Sequence, residues 1–456
     1  MSATKQAGAG TQMSAAGAAY EQAFATLRAA DGSTWLPALR RKAMDRFSAL
    51  GFPTTRNEDW HFTSVTPIAE RVFKVAAPRS GPGTLSPADV AALVIGDPDW
   101  HRLVFVNGRF EASLSAFAGL PAEVRVTTFA EALKESPGFM AEHLGKLASG
   151  EGQTFTAFNT AFAQDGVVIH VPGGVVVEAP VHIVHIADSH AAGTGIHPRL
   201  LVVADPLSQI TIIESFASTG SLGGSAYLTN SVAEIDVGNG ARVDHYKIQR
   251  ESTDAYHVGT TQVRQGRDSM YHSFSYAAGA ALSRTNVYTQ LAGENAETRL
   301  NGLYLIDGTQ HADHQTFVEH LAPACASREL YKGILDGSSH GVFNGKVYVD
   351  PVAQKTDGKQ TNHALLLSDQ ARVDTKPQLE IFADDVKCTH GATVGRLDEG
   401  ALFYMKSRGI GAEYARALLT YAFAAEVLET IEVDALREGL EAQAFARFTQ
   451  SFGEQR

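Results

Sequence analysis

Cys388 and His390 are the side chains whose types and spacing best suit metal chemistry in this sequence, and they lie in the run DDVKCTHGATVG that starts at Asp384. On a β-strand, residues two apart share a face and sit about 6.6 Å from each other. A thiolate and an imidazole would then point the same way, with Lys387 and Thr389 opposite. Such a pair can contact a soft metal or a cluster. Lys387 and His390 would favour the thiolate, while Asp384 and Asp385 would oppose it. Taken as a bare Cys-x-His pair, a core cysteine packed beside a structural histidine explains the residues as well. The chain has two cysteines, Cys325 and Cys388. An iron–sulfur cluster usually takes four protein ligands, mostly Cys. Two distant cysteines cannot supply them, so a second chain must add donors or histidines and carboxylates must substitute.

Other candidates are weaker. His311, His314 and His320 fall in HADHQTFVEHL with Asp313 and Glu319. The step of three from His311 to His314 suits a helix better than a strand, but these residues read best as polar groups stacked on coils or left exposed. The zinc-protease pattern His-Glu-x-x-His is absent. His182 and His185 would face opposite ways in a strand and receive no function. GVFNGKV from Gly341 resembles a phosphate loop, but three residues separate its glycines and Val347 replaces Ser or Thr, so no nucleotide site is expected. No serine-nucleophile elbow is expected either. Lys355, Asp357, Gln360 and Asn362 read as polar residues laddering along a coil. A carbohydrate-cleaving or acyl-transferring enzyme would need convergent carboxylates or a basic cluster in an open groove.

The elements that must position Cys388 and His390 show a repeat. Between residues 151 and 395, turn-plus-alternation segments open at Asp205, Gly238, Gly266, Gly293 and Ser368. Fixed spacing of short strands without intervening helices suggests a solenoid of stacked coils. A sandwich would also give many short strands. The apolar runs at Val175 and Leu365 favour parallel, covered strands. Residues 1–19 are small and polar and read as a disordered tail. Residues 20–150 read as a helical and mixed region. It has helices over 20–50 broken at Asp31–Gly32, a proline-rich linker over 78–88, a hairpin at Asn107–Gly108 and helix over 127–148. Helices return over 396–456, with Asp398 as an N-cap. Their apolar stripe, which includes Leu402, Phe403, Leu418, Leu419 and Phe423, needs a partner surface. Either the solenoid or a second protein could provide it.

The chain has 456 residues, 44% of them hydrophobic, which suits several structural regions around a sizeable core. Its formal net charge of −12 argues against nucleic acid or an anionic membrane as partner, and serves solubility equally well. Two cysteines fit a reduced cytoplasmic compartment. No apolar run of about 18 residues predicts a membrane span, and no signal peptide is read at the N-terminus.

Several runs carry a resemblance. YKGIL at Tyr331, VFNGKVYV at Val342, AQKTDGKQTNHALLLSD at Ala353, ARVDTKPQLEI at Ala371, ADDVKCTHGATVG at Ala383 and LFYMKSRGI at Leu402 resemble the C-terminal signature of the SufB/SufD family of iron–sulfur cluster assembly proteins. RNEDWHFTSV at Arg56 resembles the segment by which SufD-type members enter their globular region. The form KCTHGAT is similar to SufD, where SufB-like members carry Glu-His-Glu-Ala-Thr. His363 and Ala364 depart from the Arg-Asn common at that place. The resemblance implies a right-handed parallel β-helix core flanked by N-terminal and C-terminal helical regions. It implies a non-catalytic cytoplasmic scaffold that pairs with a SufB-like paralogue and docks a SufC-like ABC ATPase on its C-terminal helices. By carry-over, Cys388 and His390 stand at the subunit interface as candidate ligands of a transient iron–sulfur cluster. A purely structural subunit with ligands only on the partner, or a homodimer, is the alternative. Whether a flavin binds the complex stays open.

Overall fold

The computed structural model describes residues 15–27, 35–76, 85–117, 119–221 and 223–451. Helices α1 (Ala15–Thr26) and α2 (Trp35–Leu50) come first. Tyr20 of α1 meets Phe47 of α2 and Phe158 edge-on, with ring centroids 5.9 and 4.8 Å apart. Residues 15–19 of the expected tail therefore belong to a helix, because aromatic packing at Tyr20 holds it. Residues 1–14 lie outside the described residues. Gly51 ends α2 in the left-handed conformation (φ +64°), as a glycine after a helix commonly does.

Short elements follow: α3 (Thr66–Ala69), β1 (Lys74–Val75) and α4 (Pro87–Leu93). Ser86 and Asp89 form a reciprocal capping box on α4, with proline in its first turn. That part of the expected linker is helical, and residues 77–84 lie outside the described residues. The expected hairpin is present as β2 (His101–Val106) and β3 (Arg109–Phe110). After β4 (Arg125–Thr128), the expected helix over 127–148 is two, α5 (Phe129–Glu135) and α6 (Pro137–His143). They divide where Pro137 starts the second. Helix α7 (Thr154–Phe162) precedes the solenoid strands.

Those strands are β5 (Gly166–Val171), β6 (Val181–Ala187), β7 (Thr194–Ile196), β8 (Arg199–Ala204), β9 (Gln209–Ser218), β10 (Tyr227–Val237) and β11 (Arg242–Arg250). Next come β12 (Ala255–Gln265), β13 (Met270–Ala277), β14 (Leu282–Leu291), β15 (Glu297–Ile306) and β16 (His311–His320). The last are β17 (Ala326–Leu335), β18 (His340–Val349), β19 (Thr356–Leu366), β20 (Arg372–Ile381) and β21 (Val386–Gly395). Even-numbered strands from β8 to β20 stack in one parallel sheet, and odd-numbered strands from β9 to β21 stack in the other. The result is a parallel β-solenoid of about eight turns. β2 already pairs with β6, so the hairpin caps the first coil. The turn preceding a strand repeats a left-handed residue at Leu207, Gly240, Asp268, Asn295, Ala324 and Lys355, which explains the turn signals opening at Asp205, Gly238, Gly266 and Gly293. Val175–Val177 is no strand. It makes one bridge, Val176 to Gln209, as the chain turns between β5 and β6, and Val176 is exposed.

Side chains facing the lumen form ladders along the axis. One runs Ile169, Val202, Ile235, Val263, Thr289, Val318, Val347, Leu379. Each rung except the last is covered by the next coil. A buried ion pair pins the N-terminal region to the stack. Arg199 and Glu234 lie 2.5 Å apart, and Glu234 also accepts the backbone N–H groups of Gly145, Leu147 and Ala148. Helices α8 (Glu399–Ser407), α9 (Ala412–Leu428) and α10 (Asp434–Ser451) close the described chain. Ala424, Val427 and Leu428 of α9 and Leu436 and Leu440 of α10 pack with Tyr246, Phe274, Leu303 and Ile334 on the outer face of the odd-numbered sheet.

Candidate functional site

The solenoid ends on an unfinished coil. Among the described residues, β20 and β21 each pair along one edge only, with β18 and β19. Cys388 is the register partner of Gly358, and His390 of Gln360, both inward and buried on β19. The pair therefore takes the lumen-facing positions of the last coil, and Lys387 and Thr389 take the other face, as the strand alternation predicts. Behind Cys388 the rungs run Ile210, Val243, Tyr271, Thr298, Ser327, Gly358. Behind His390 they run Ile212, His245, Ser273, Leu300, Glu329, Gln360. Along both ladders the lumen becomes more polar towards the open end.

Local packing fixes the cysteine. A Cβ at Gly358 would stand 3.3 Å from the Cys388 Sγ, so glycine leaves room for the sulfur. The thiol is half-buried against a cluster that includes Val347, Val349, Ala353 and Ala383. Burial pushes its pKa above the ordinary value, a hydrogen bond with the Gly358 backbone opposes this, and Asp357 adds to the rise. The sequence expectation weighed Lys387 and His390 against Asp384 and Asp385. The neighbouring coil, one strand away in space, is the source of the charge that acts. His390 is exposed. Beneath it Gln360 donates through Nε2 to Glu329 at 3.2 Å, and Thr316 donates to the same carboxyl at 2.6 Å. Burial pushes the Glu329 pKa up to about 7. Around the opening, Ile381, Phe382 and Val394 are exposed large apolar side chains, with Leu379 half-buried beside them. One thiol and one imidazole give two donors, half of what a cluster requires.

The C-terminal candidates divide. Asp398 caps α8 by accepting from the backbone N–H groups of Gly400 and Ala401. Leu402, expected on a partner-binding face, is buried. Phe403 is 72% exposed and Tyr404 59%. Leu418, Leu419 and Phe423 are half-buried, because the deepest side of α9 faces the solenoid. An amphipathic stripe shows which side is apolar and leaves open what covers it.

The remaining histidines serve the stack. His311, His314 and His320 lie on strand β16, stacked on the coils as expected, although the step of three alone would suit a helix. Their spacing of three puts His311 and His314 on opposite faces. His311 Nε2 meets the Thr63 hydroxyl at 2.8 Å, and His314 is buried and stacked on Tyr304. His320 meets Ser327 Oγ at 2.9 Å. His182 bonds Ser215 Oγ at 2.7 Å, and His185 stacks on Phe216. The run Gly337-SSHG does have the spacing of a serine elbow, contrary to expectation. Ser339 is fully buried, donates to the Ile306 carbonyl and is followed by a strand, so its hydroxyl reaches no substrate. Sequence reasoning missed a cluster of Asp244, His272 and Glu432. Asp244 and His272 are register partners, whereas Glu432 comes from the turn after α9, far away in sequence. Arg242 donates to Asp244 at 2.9 and 3.0 Å and to Glu432, filling the cationic position itself.

Two family models match the chain: the SufBD protein N-terminal region over residues 17–183 and the SUF-system FeS cluster assembly SufBD core domain over residues 185–423. An iron–sulfur cluster assembly SufBD family protein of Synechocystis is 34% identical over 403 residues, covering 87% of this chain and 88% of that one. The iron–sulfur cluster assembly protein SufD of Escherichia coli is 35% identical over 404 residues, covering 88% and 89%. SufD of Bacillus subtilis is 27% identical over 415 residues, covering 89% and 92%.

Proposed function

The chain belongs to the SufBD family of SUF-system iron–sulfur cluster assembly proteins, and we propose that within it this protein is a SufD-like, non-catalytic scaffold subunit whose open solenoid end carries half of a cluster-assembly site. The observation that carries this reading is the placement of Cys388 and His390 on the last lumen-facing rungs, beside two strand edges that pair on one side only. The cluster is cargo. A thiolate and a neutral imidazole are both ligands for iron, and binding at Cys388 must displace a proton because burial keeps the sulfur protonated. Two donors hold a cluster incompletely, which suits transfer. The missing donors come from a second chain, a SufB-like paralogue, seated on β20, β21 and the apolar rim of Ile381, Phe382 and Val394. The exposed Phe403 and Tyr404 on α8 offer a separate surface to a SufC-like ABC ATPase, which would bring the nucleotide chemistry. Work in the cytoplasm fits a chain whose thiols are free; among the described residues no helix is long and apolar enough to cross a membrane.

The test is His390→Ala in the complete complex, with cluster formation followed by absorbance under anaerobic supply of iron and sulfide. The yield should fall about ten-fold or more. An unchanged yield removes His390 from the site and favours a purely structural subunit.

A further inference from the structure

One nitrogen stands at the centre of the cluster that Asp244, His272 and Glu432 form between the odd-numbered sheet and the turn after α9. Arg242 Nη2 lies 3.0 Å from Asp244 Oδ1 and 3.4 Å from His272 Nδ1, and it donates to Glu432 Oε2. A single cationic group therefore touches all three side chains from the position a metal ion would take. The donors are spaced for one ion. His272 Nδ1 is 3.1 Å from Asp244 Oδ1 and 3.8 Å from Glu432 Oε1, and donors bound tetrahedrally at about 2.1 Å stand roughly 3.4 Å apart. Two carboxylates and an imidazole, with no thiolate, suit Zn²⁺, Fe²⁺ or Mn²⁺ and not a cluster.

The surroundings let the guanidinium leave. Arg242 is the first residue of β11, and its side chain is 28% exposed. Beside the cluster is a cavity of about 300 Å³, lined by Tyr246, His272, Arg299, Asn301, Glu429 and Glu432. It has space for the waters that would complete a coordination shell. The buried Nε2 of His272 has no hydrogen-bond partner, so the ring is held from its Nδ1 side alone and can adjust. Charge favours a doubly charged occupant, because Asp244 and Glu432 set two carboxylates against the one guanidinium.

We propose that Asp244, His272 and Glu432 form a binding site for a divalent first-row transition ion, and that Arg242 holds the ion's place until the metal exchanges for it. Arg242 then turns out to solvent. The apparent affinity is the intrinsic affinity reduced by the fraction of chains in which Arg242 has withdrawn. The site lies on the outer face of the sheet, whereas Cys388 and His390 take lumen-facing positions on the last coil. It goes beyond the assembly-site reading and does not depend on it.

Zn²⁺ titration by isothermal calorimetry, on an untagged chain carrying Cys388→Ser and His390→Ala, reads this site without the open end. A single ion per chain should bind. Glu432→Gln and His272→Ala should each weaken binding at least about ten-fold. Arg242→Ala should strengthen it about ten-fold, because the competing cation is gone; adventitious surface binding would not respond in this way. Co²⁺ added in place of Zn²⁺ should give visible absorbance that His272→Ala abolishes. The Glu432 side chain is 52% exposed, so Glu432→Gln leaves the core intact and decides the question even if His272→Ala fails to fold. Three results would overturn the proposal: no binding in either the parent or Arg242→Ala, binding that Glu432→Gln leaves unchanged, or binding in Arg242→Ala alone.

Discussion

Cys388 sits on the boundary between a packed core and solvent, and that boundary sets its chemistry. Burial among aliphatic side chains keeps the sulfur a thiol, and a metal arriving at the open end must take the proton's place. Glu329, two coils behind His390 on the same ladder, is buried enough to titrate near 7 in the fold against 4.5 unfolded. The stability that its neutral form provides is fully present below pH 4.5 and is lost as pH rises towards 7. Glu329→Gln should therefore stabilise the protein by about 3 kcal/mol more at pH 8 than at pH 4, because the shift from 4.5 to about 7 scales at 1.36 kcal/mol per pH unit. Urea midpoints at the two pH values measure this, and a pH-independent effect would place Glu329 in contact with water. At this scale the sequence was partly legible. Strand alternation alone puts Cys388 and His390 on one face. The neighbouring charge that helps keep the thiol neutral was not legible, because Asp357 is thirty-one positions back in the chain and adjacent only through the coil register.

At the scale of elements, turn-and-alternation segments were readable as coils because the first four carry a left-handed turn residue near their start and all place apolar rungs at a period of two. Long-range contacts override local patterns. The spacing of three between His311 and His314 fits a helix in isolation, but the reading as polar groups stacked on coils holds, because strand pairing sets the local conformation. Residues 15–19 looked like a tail because their composition is small and polar, yet Tyr20 anchors the helix through distant aromatic rings. Long-range packing also explains the buried Arg199–Glu234 pair, which no spacing in the sequence announces. Glu234→Ala would leave Arg199 charged and unpaired in the core and free three backbone N–H groups. A loss of about 3–5 kcal/mol in denaturant unfolding is expected, and a loss below 1 kcal/mol would mean that water reaches the pair. On α8, Phe403 is exposed where Leu402 is buried. Phe403→Asp should abolish co-purification of a SufC-like ATPase while leaving the melting temperature within about 2 °C. Retained ATPase would move the docking surface elsewhere.

As a whole molecule, the chain is a stack closed at one end and left open at the other. The β2–β3 hairpin and β4 cap the first coils in antiparallel pairing, whereas among the described residues no strand pairs with the outer edges of β20 and β21. Exposed strand edges beside apolar side chains invite pairing, and an isolated chain should be prone to self-association there. The net charge of −12 opposes such self-association. Hydrogen–deuterium exchange across residues 372–395, measured with and without a SufB-like paralogue, tests this completion by a second chain most directly. The amides of β20 and β21 should become protected on complex formation while those of β5 and β6 stay unchanged. Protection confined to other surfaces, with the terminal coil exchanging as fast as in the free chain, would contradict it.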